Sequence, residues 1–600
     1  MNTNKLSVLS AVCMTASAFF SLTTLSLHGD ISLLAFPFAL IFTAVTAFYG
    51  SKKLFRDGET RFLPVFRELL QYLPYVLLIA FVLRRAGKTE TSYLLDLFSV
   101  LFWFIASALT VFISYFLHPK RVEKFVDGYK LPEKKKRQGA ELFISETISW
   151  IDALVQAVFM VLLLNIFIVQ LYEIPSESMV PEFLIKDRVV VFKTLSGPKF
   201  PLSKIGFPYL KSYKRGDIVV FRNPHYDDDR KSEVKTFVSQ LVYMISLTKI
   251  NLNMDADGNP KADPLVKRLT GVPGEQLMMQ DGILYHRTRS SDEFTAVRED
   301  DNWAAWNLND AKASLKNNNG IKQYPISQSA YEQMLLCEEQ RRALDVTSAA
   351  LECRSLADRF TTLSKFFGGV EKTGKTEIGQ NELSVISFVR TPMGGYIDYG
   401  LLSEQLSSAM TYKLLQASDG SEWFTRFMTD WTGKKRDFAG DLYAEASFKL
   451  NLMIKLTFGR IVVRNLELLS DGLQPSLWAG DKKRTDYFSQ AKMLSDYILL
   501  QDRRNMPVFP QNDEAGNPRY IPEDCYFMMG DNRFNSLDMR HSYDDWLTPL
   551  TPFDDYSVTY YTNMAPQYVH RSRILGTTAY RFWPLPRHGV PGNHSDLLSE

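Results

Sequence analysis

Five apolar runs crowd the first 172 of 600 residues and constrain this chain more than any other feature. They fall at about 6–27, 32–50, 69–83, 93–117 and 149–172. All but the third approach the ~20 residues that a helix needs to cross a bilayer. The third is short, and Arg67-Glu68 stands at its start, which makes it the weakest span. After Tyr172 apolar and polar residues alternate as in a water-soluble domain. The expected organisation is therefore a membrane anchor (1–172) followed by a globular part.

The charges between the runs predict an orientation. Lysine and arginine concentrate in cytoplasmic loops. The loop 118–147 carries eight of them: Lys120, Arg121, Lys124, Lys130, Lys134, Lys135, Lys136 and Arg137. The loop 51–68 carries Lys52, Lys53, Arg56, Arg61 and Arg67, whereas 28–31 has none and 84–92 has three. Five spans then put the N-terminus inside and everything after Tyr172 outside. A cleaved signal peptide at the start is disfavoured, because the n-region has only Lys5 and the apolar stretch is too long for an h-region. Lipid modification at Cys13 is disfavoured by the bulky Val12 before it.

Composition excludes some classes. A net charge of +2, with no basic stripe interleaved with aromatics, gives no basis for a nucleic-acid partner. Four cysteines (Cys13, Cys337, Cys353 and Cys525) are no disulfide framework for a chain this long. Cys337 and Cys353 could meet only across a helical hairpin turning near Asp345-Val346-Thr347-Ser348, so free thiols are expected.

The chemistry-bearing stretch is Ile174-Pro175-Ser176-Glu177-Ser178-Met179, directly after the fifth run. A serine hydroxyl is a weak nucleophile until something accepts its proton. No G-x-S-x-G elbow occurs, and the eight histidines form no H-E-x-x-H pair. A lysine serves instead if burial lowers its proton affinity, so the base should lie in a strongly apolar strand. Val266-Lys267-Arg268-Leu269-Thr270-Gly271-Val272-Pro273-Gly274-Glu275 supplies Lys267. A period of two aims Lys267 and Arg268 at opposite faces, and the glycine–proline turn ends the strand.

Four ordered blocks of this chain resemble the bacterial signal peptidase I (leader peptidase) family of membrane-anchored Ser-Lys proteases. They are Ile174 to Pro181, Tyr213 to Phe221, Val266 to Glu275, and Gly530 to Arg540. A tail from Ile574-Leu575-Gly576 through Arg581-Phe582-Trp583-Pro584 looks like the family's closing strand. The resemblance implies N-terminal transmembrane α-helices followed by a mostly β catalytic domain of antiparallel sheets, interrupted by an α+β insertion. The catalytic domain would comprise 173–286 and 521–600, with the insertion at 287–520.

Carried onto this sequence, the resemblance makes Ser178 the nucleophile and Lys267 the general base. The Ser178 N–H and the Ser176 hydroxyl would form the oxyanion hole. Ser536 would hydrogen-bond and orient Lys267. Arg268 with Asp531, and Asp538 with Arg540, would be ion pairs, either architectural or serving the site. Ile174, Pro175 and Met179 would line shallow substrate pockets, although Ile174 and Met179 serve equally as core residues. The implied function is removal of signal peptides from exported preproteins, with no metal or cofactor. The implied partners are such preproteins, the lipid bilayer and the secretion machinery. The implied location is the bacterial inner membrane, with the catalytic domain on the outer side. Two alternatives remain: a specialised peptidase with narrow substrates, and a non-catalytic scaffold of the same fold.

The chain departs from the family pattern at three places: Phe534 in place of an acidic residue, Glu182-Phe183 in place of threonine-leucine, and Lys186 in place of a glycine. Between blocks, Phe237, Val238, Leu241, Val242, Met244 and Ile245 recur at helical spacing. They predict a helix that either lies on the membrane or packs on the domain. Within 287–520, helical stretches near 328–366 and 399–417 predict a small separate core. Gly369 to Thr376 fits the phosphate-loop pattern, but no strand precedes it and no helix start follows, so it reads as a polar loop.

Overall fold

The computed structural model describes residues 3–24, 34–87, 91–126, 129, 139–226, 229–246, 250, 252–254, 258, 261–316, 320–372, 374–390, 396–434 and 436–592. Lys130, Lys134, Lys135, Lys136 and Arg137 of the basic loop, the loop 28–31 and Thr373 lie outside the described residues.

Among the described residues each apolar run is helical, except that the fifth ends in the strand Val169–Glu173. Among the described residues four helical segments, Thr3–Thr23, Thr60–Ala86, Tyr93–Phe116 and Ala140–Phe167, are long and apolar enough to cross a membrane. The second run gives a 13-residue α-helix, Ala35–Ala47, continued by a 9-residue π-helix, Phe48–Arg56. The expectation that the third run is the weak one is thus corrected. It lies inside a 24-residue helix that starts at Leu63 and absorbs Arg67-Glu68 on its first turns, and the second run is the short one.

A loop of the globular part is seated in the helix bundle. Phe200 and Ile205 are buried in the same apolar cluster as Phe81, Trp103 and Phe167, with Phe207 packed against it. The Phe200 ring lies 4.8 Å from Phe167 and 5.3 Å from Trp103. Polar ties reinforce the seat. Arg84 pairs with Asp96, Ser203 Oγ donates to Asp96 Oδ2 at 3.0 Å, and Arg85 Nε donates to the Leu202 carbonyl. The predicted inter-block helix is present as Arg230–Ile245, and Arg230 Nε donates to the Arg85 carbonyl at 2.6 Å.

The globular part is built on an antiparallel seven-stranded sheet. Its order is Val169–Glu173, Arg188–Phe192, Ile574–Trp583, Ile218–Phe221, Leu265–Gly271, Cys525–Met529, Val569–His570. A second sheet orders Met506–Phe509, Glu275–Gln280, Ile283–Thr288 and Ser291–Ala296. The turn Val272-Pro273-Gly274 joins the two sheets; Gly274 takes φ +83°, a backbone region where a side chain would be strained. Register places Lys267 opposite Val219 and Arg268 opposite Ile218. Opposed residues share a face. Val219, Phe221 and Leu269 lie in one apolar cluster, and Ile218 and Val220 in another with Ile174 and Met179. The two basic residues therefore enter different apolar layers, as period two requires.

The insertion is mostly helical: Gln328–Ala343, Val346–Ser364, Glu404–Gln416, Gly420–Thr429, Leu442–Ser470 and Lys482–Ile498, with a small hairpin pairing Phe388–Arg390 and Tyr396–Asp398. Its core is not separate, contrary to expectation, because Phe534, Leu550, Val558 and Tyr560 of the last segment share it. The first two helices form a hairpin turning at Leu344-Asp345, yet Cys337 and Cys353 are free, as are Cys13 and Cys525. The polar loop after Gly369 spends its groups locally: Lys372 Nζ donates to the Leu415 carbonyl, and Thr376 N and Oγ1 donate to Asp419.

A fully buried ion pair between Lys455 and Asp554 ties the long insertion helix to the last segment. Lys455 Nζ also donates to the Phe427 carbonyl at 2.6 Å, and Asn451 Nδ2 to Asp554 at 2.8 Å. Removing one partner strands a buried charge. Asp554→Ala should therefore lower unfolding free energy by about 3–5 kcal/mol, and Lys455→Met with Asp554→Leu should recover much of it, measured by thermal or denaturant unfolding in detergent.

Candidate active site

The turn carrying Ser178 is closed at its base and anchored on both sides. Ile174 N donates to the Asp187 carbonyl and Lys186 N to the Ile174 carbonyl, each at 2.8 Å. Ile174, Met179 and Phe183 are buried in one apolar cluster with Val189, Val191, Ile218 and Val220. Val180 and Leu184 enter another with Ala305, Leu308, Ala311, Leu315 and Ile321. Ser178 is left half-buried, and Pro175 and Ser176 are exposed beside it. Of the three pocket candidates only Pro175 is open to the surface; Ile174 and Met179 are core residues here.

Lys267 reaches this turn from the neighbouring strand. Its Nζ lies 2.7 Å from Ser178 Oγ and donates to the Val266 carbonyl at 3.1 Å. The side chain is buried, and burial lowers its proton affinity from the usual 10.5 to about 8, against the pull of Asp538 and Asp531. Ser176 Oγ donates to Ser178 Oγ at 3.4 Å.

The surrounding charges are matched in pairs. Arg268 grips Asp531 through Nε at 2.8 Å and Nη2 at 2.6 Å, donates to the Gly216 carbonyl at 3.0 Å, and approaches Glu182 at 3.4 Å. It also lies 5.2 Å over the Trp303 ring. Burial opposes its charge, and Asp531 with Glu182 more than restores it. Asp538 and Arg540 form a second bidentate pair at 2.8 and 3.0 Å, and Gly530 N donates to Asp538 at 2.9 Å. Burial works against the Asp538 charge, but the Arg540 guanidinium holds that carboxyl well below the usual carboxylate range. Arg533 and Asp300 make a third buried pair.

Ser536 departs from expectation. Its hydroxyl is buried beside Gly530 and has no hydrogen-bond partner among the described residues; the bonds of Lys267 go to Ser178 Oγ and the Val266 carbonyl instead. Its carbonyl accepts from Arg503 at 3.1 Å. Gly530 is needed where it stands, because a Cβ there would overlap Ser536 Oγ and the Ser178 carbonyl. Phe534 packs edge-on against Trp306 at 5.2 Å and joins the insertion core, so this departure from the family pattern docks the insertion onto the last block. Sequence reasoning missed Glu182, Trp303, Asp300 and Asn532. Asn532 stands inside a quoted block and Glu182 is a departure just after one, whereas Trp303 and Asp300 belong to no motif. Among the described residues no three His, Cys, Asp or Glu side chains converge as a metal site requires.

A half-buried serine beside a buried lysine of lowered proton affinity on antiparallel sheets, above apolar helices, defines a Ser-Lys arrangement at a membrane. The model of the family described as "Signal peptidase, peptidase S26" matches residues 147–333 and 470–583, interrupted over 334–469. The chain belongs to that family. It is 30% identical over 177 residues to a signal peptidase I of Buchnera aphidicola subsp. Baizongia pistaciae, covering 29% of this chain and 50% of that protein. It is 26% identical over 136 residues to a signal peptidase I of Bacillus licheniformis, covering 23% of this chain and 48% of the relative. The chain thus spans about half the length of these curated relatives.

The lowered proton affinity of Lys267 has a sign that unfolding can read. The unfolded chain binds more protons than the folded one between about 8 and 10.5, so stability rises with pH across that window. Below about 8 both states hold the proton and the full cost of burying the ammonium is felt. Lys267→Met should therefore unfold at a higher temperature than the native protein at neutral pH, with the difference closing near 10.5.

Proposed function

We propose that this protein is a membrane-bound serine endopeptidase of signal peptidase I type, removing N-terminal signal peptides from exported preproteins. The single observation that carries the reading is the 2.7 Å approach of Lys267 Nζ to Ser178 Oγ, with the lysine buried. Lys267 takes the hydroxyl proton as Ser178 Oγ attacks the scissile carbonyl. The tetrahedral oxyanion is held by the Ser178 N–H and the Ser176 hydroxyl. Lys267 then returns its proton to the leaving amine, and an ester joins Ser178 to the departing signal peptide. Water, deprotonated by Lys267, hydrolyses that ester and regenerates the serine.

The buried ion pair Arg268–Asp531 holds the last block against the lysine strand, and Asp538–Arg540 braces that block from within. The apolar helices favour a multi-pass protein of the bacterial inner membrane, with the catalytic part on the outer side as the loop charges indicate. Preproteins and the bilayer are its partners, and the secretion machinery delivers the substrates.

Ser178→Ala and Lys267→Met should each abolish cleavage of a preprotein by detergent-solubilised protein while leaving the fold intact; cleavage by either variant at native rate would sink this reading. Because the base must be unprotonated, kcat/KM should fall about tenfold per pH unit below a midpoint of about 8. A profile flat from pH 6 to 9 would contradict the assignment of Lys267.

A further inference from the structure

Glu177 stands between the two serines of the site, yet the mechanism above gives it nothing to do. It is 4% exposed, and both carboxylate oxygens are spoken for. Lys322 N donates to Oε1 at 2.6 Å and Gln323 N to Oε2 at 3.0 Å. These are successive backbone N–H groups of a segment 145 residues away, and such a pair is a ready-made anion cradle. The same turn is gripped from its other side by Asn532. Asn532 Nδ2 donates to the Glu177 carbonyl at 3.1 Å and Asn532 N to the Ser178 carbonyl at 3.2 Å. Asn535 Nδ2 in turn donates to Gln323 Oε1 at 3.1 Å, linking the two grips.

A peptide group is planar, and in the trans form its carbonyl and its N–H point in opposite directions. The peptide joining Glu177 to Ser178 is therefore fixed in roll once the Glu177 side chain and carbonyl are both held. Its N–H is the Ser178 N–H, which points away from Asn532 and meets no acceptor among the described residues. We propose that Glu177, latched to the Lys322 and Gln323 amides, is a positioning residue that aims the Ser178 N–H as an oxyanion donor. Glu177 acts through that peptide and does not touch substrate. Oxyanion donors contribute only when they are pre-aimed at the charge developing in the transition state. The assignment rests on the Ser178–Lys267 reading, and the two fail separately.

The test is steady-state cleavage of a preprotein by full-length protein in detergent, with the thermal midpoint recorded for each variant. Glu177→Ala should lower kcat about tenfold to a hundredfold, the effect of a small misplacement of a catalytic group, with KM within about twofold. The acidic limb of its pH profile should not move, because Lys267 is untouched. Lys322→Pro removes one cradle N–H from an exposed position and should reproduce part of the loss. Glu177→Gln keeps one acceptor oxygen and should fall between Glu177→Ala and the native protein. A Glu177→Ala kcat within twofold of native would overturn the latch, as would a shifted acidic limb, which would mean that Glu177 acts through Lys267. If Glu177→Ala does not accumulate, the graded losses of Glu177→Gln and Lys322→Pro support the latch and unchanged kcat in both overturns it. Activity retained by Ser178→Ala would instead remove the underlying Ser-Lys reading.

Discussion

One buried ammonium organises this molecule. Lys267 must sit in an apolar layer for its proton affinity to fall, and that layer supplies no water to screen the charges around it. Every other charge near it is consequently matched: Arg268 with Asp531 and Glu182, Asp538 with Arg540, and Arg533 with Asp300. Removing one member of such a pair leaves a charge buried and uncompensated. The block Gly530 to Arg540 is thus more than a motif beside the lysine. It is the set of counter-charges that lets a lysine remain buried without collecting a carboxylate of its own.

How much of this was legible in the sequence depended on distance along the chain. Ser178 and Lys267 stand out because local patterns mark them: a serine after an apolar run, and a lysine in an apolar strand ended by glycine and proline. The opposed faces of Lys267 and Arg268 follow from strand period alone and are seen in the register. Features made by remote partners left no local trace. Phe534 reads as a departure from a motif until Trp306 and the insertion core are seen to receive it. The free hydroxyl of Ser536 depends on where the lysine's bonds go, which no spacing encodes. The third apolar run was misjudged because a glutamate and an arginine near a helix start interrupt the apolar pattern without interrupting the helix.

The membrane part does more than hold the chain at a surface. Phe200 and Ile205, from a loop of the globular part, are buried among rings of the bundle, and Asp96 collects bonds from both sides. Ser178 follows the last long apolar helix by only a short strand, and the loop carrying Phe200 gives the globular part a second tie to the bundle. The globular part is thus joined to the bundle by packed side chains as well as by the chain itself.

The strand order has a temporal consequence. In the seven-stranded sheet the segment Ile574–Trp583 lies between Arg188–Phe192, next to the serine's turn, and Ile218–Phe221, next to the lysine's strand. The other neighbour of the lysine strand, Cys525–Met529, comes after the whole insertion. During synthesis the serine and the lysine both emerge before the strand that joins their halves of the sheet. Ser178 and Lys267 are therefore held together by a frame that closes only after residues 525–583 have joined the sheet.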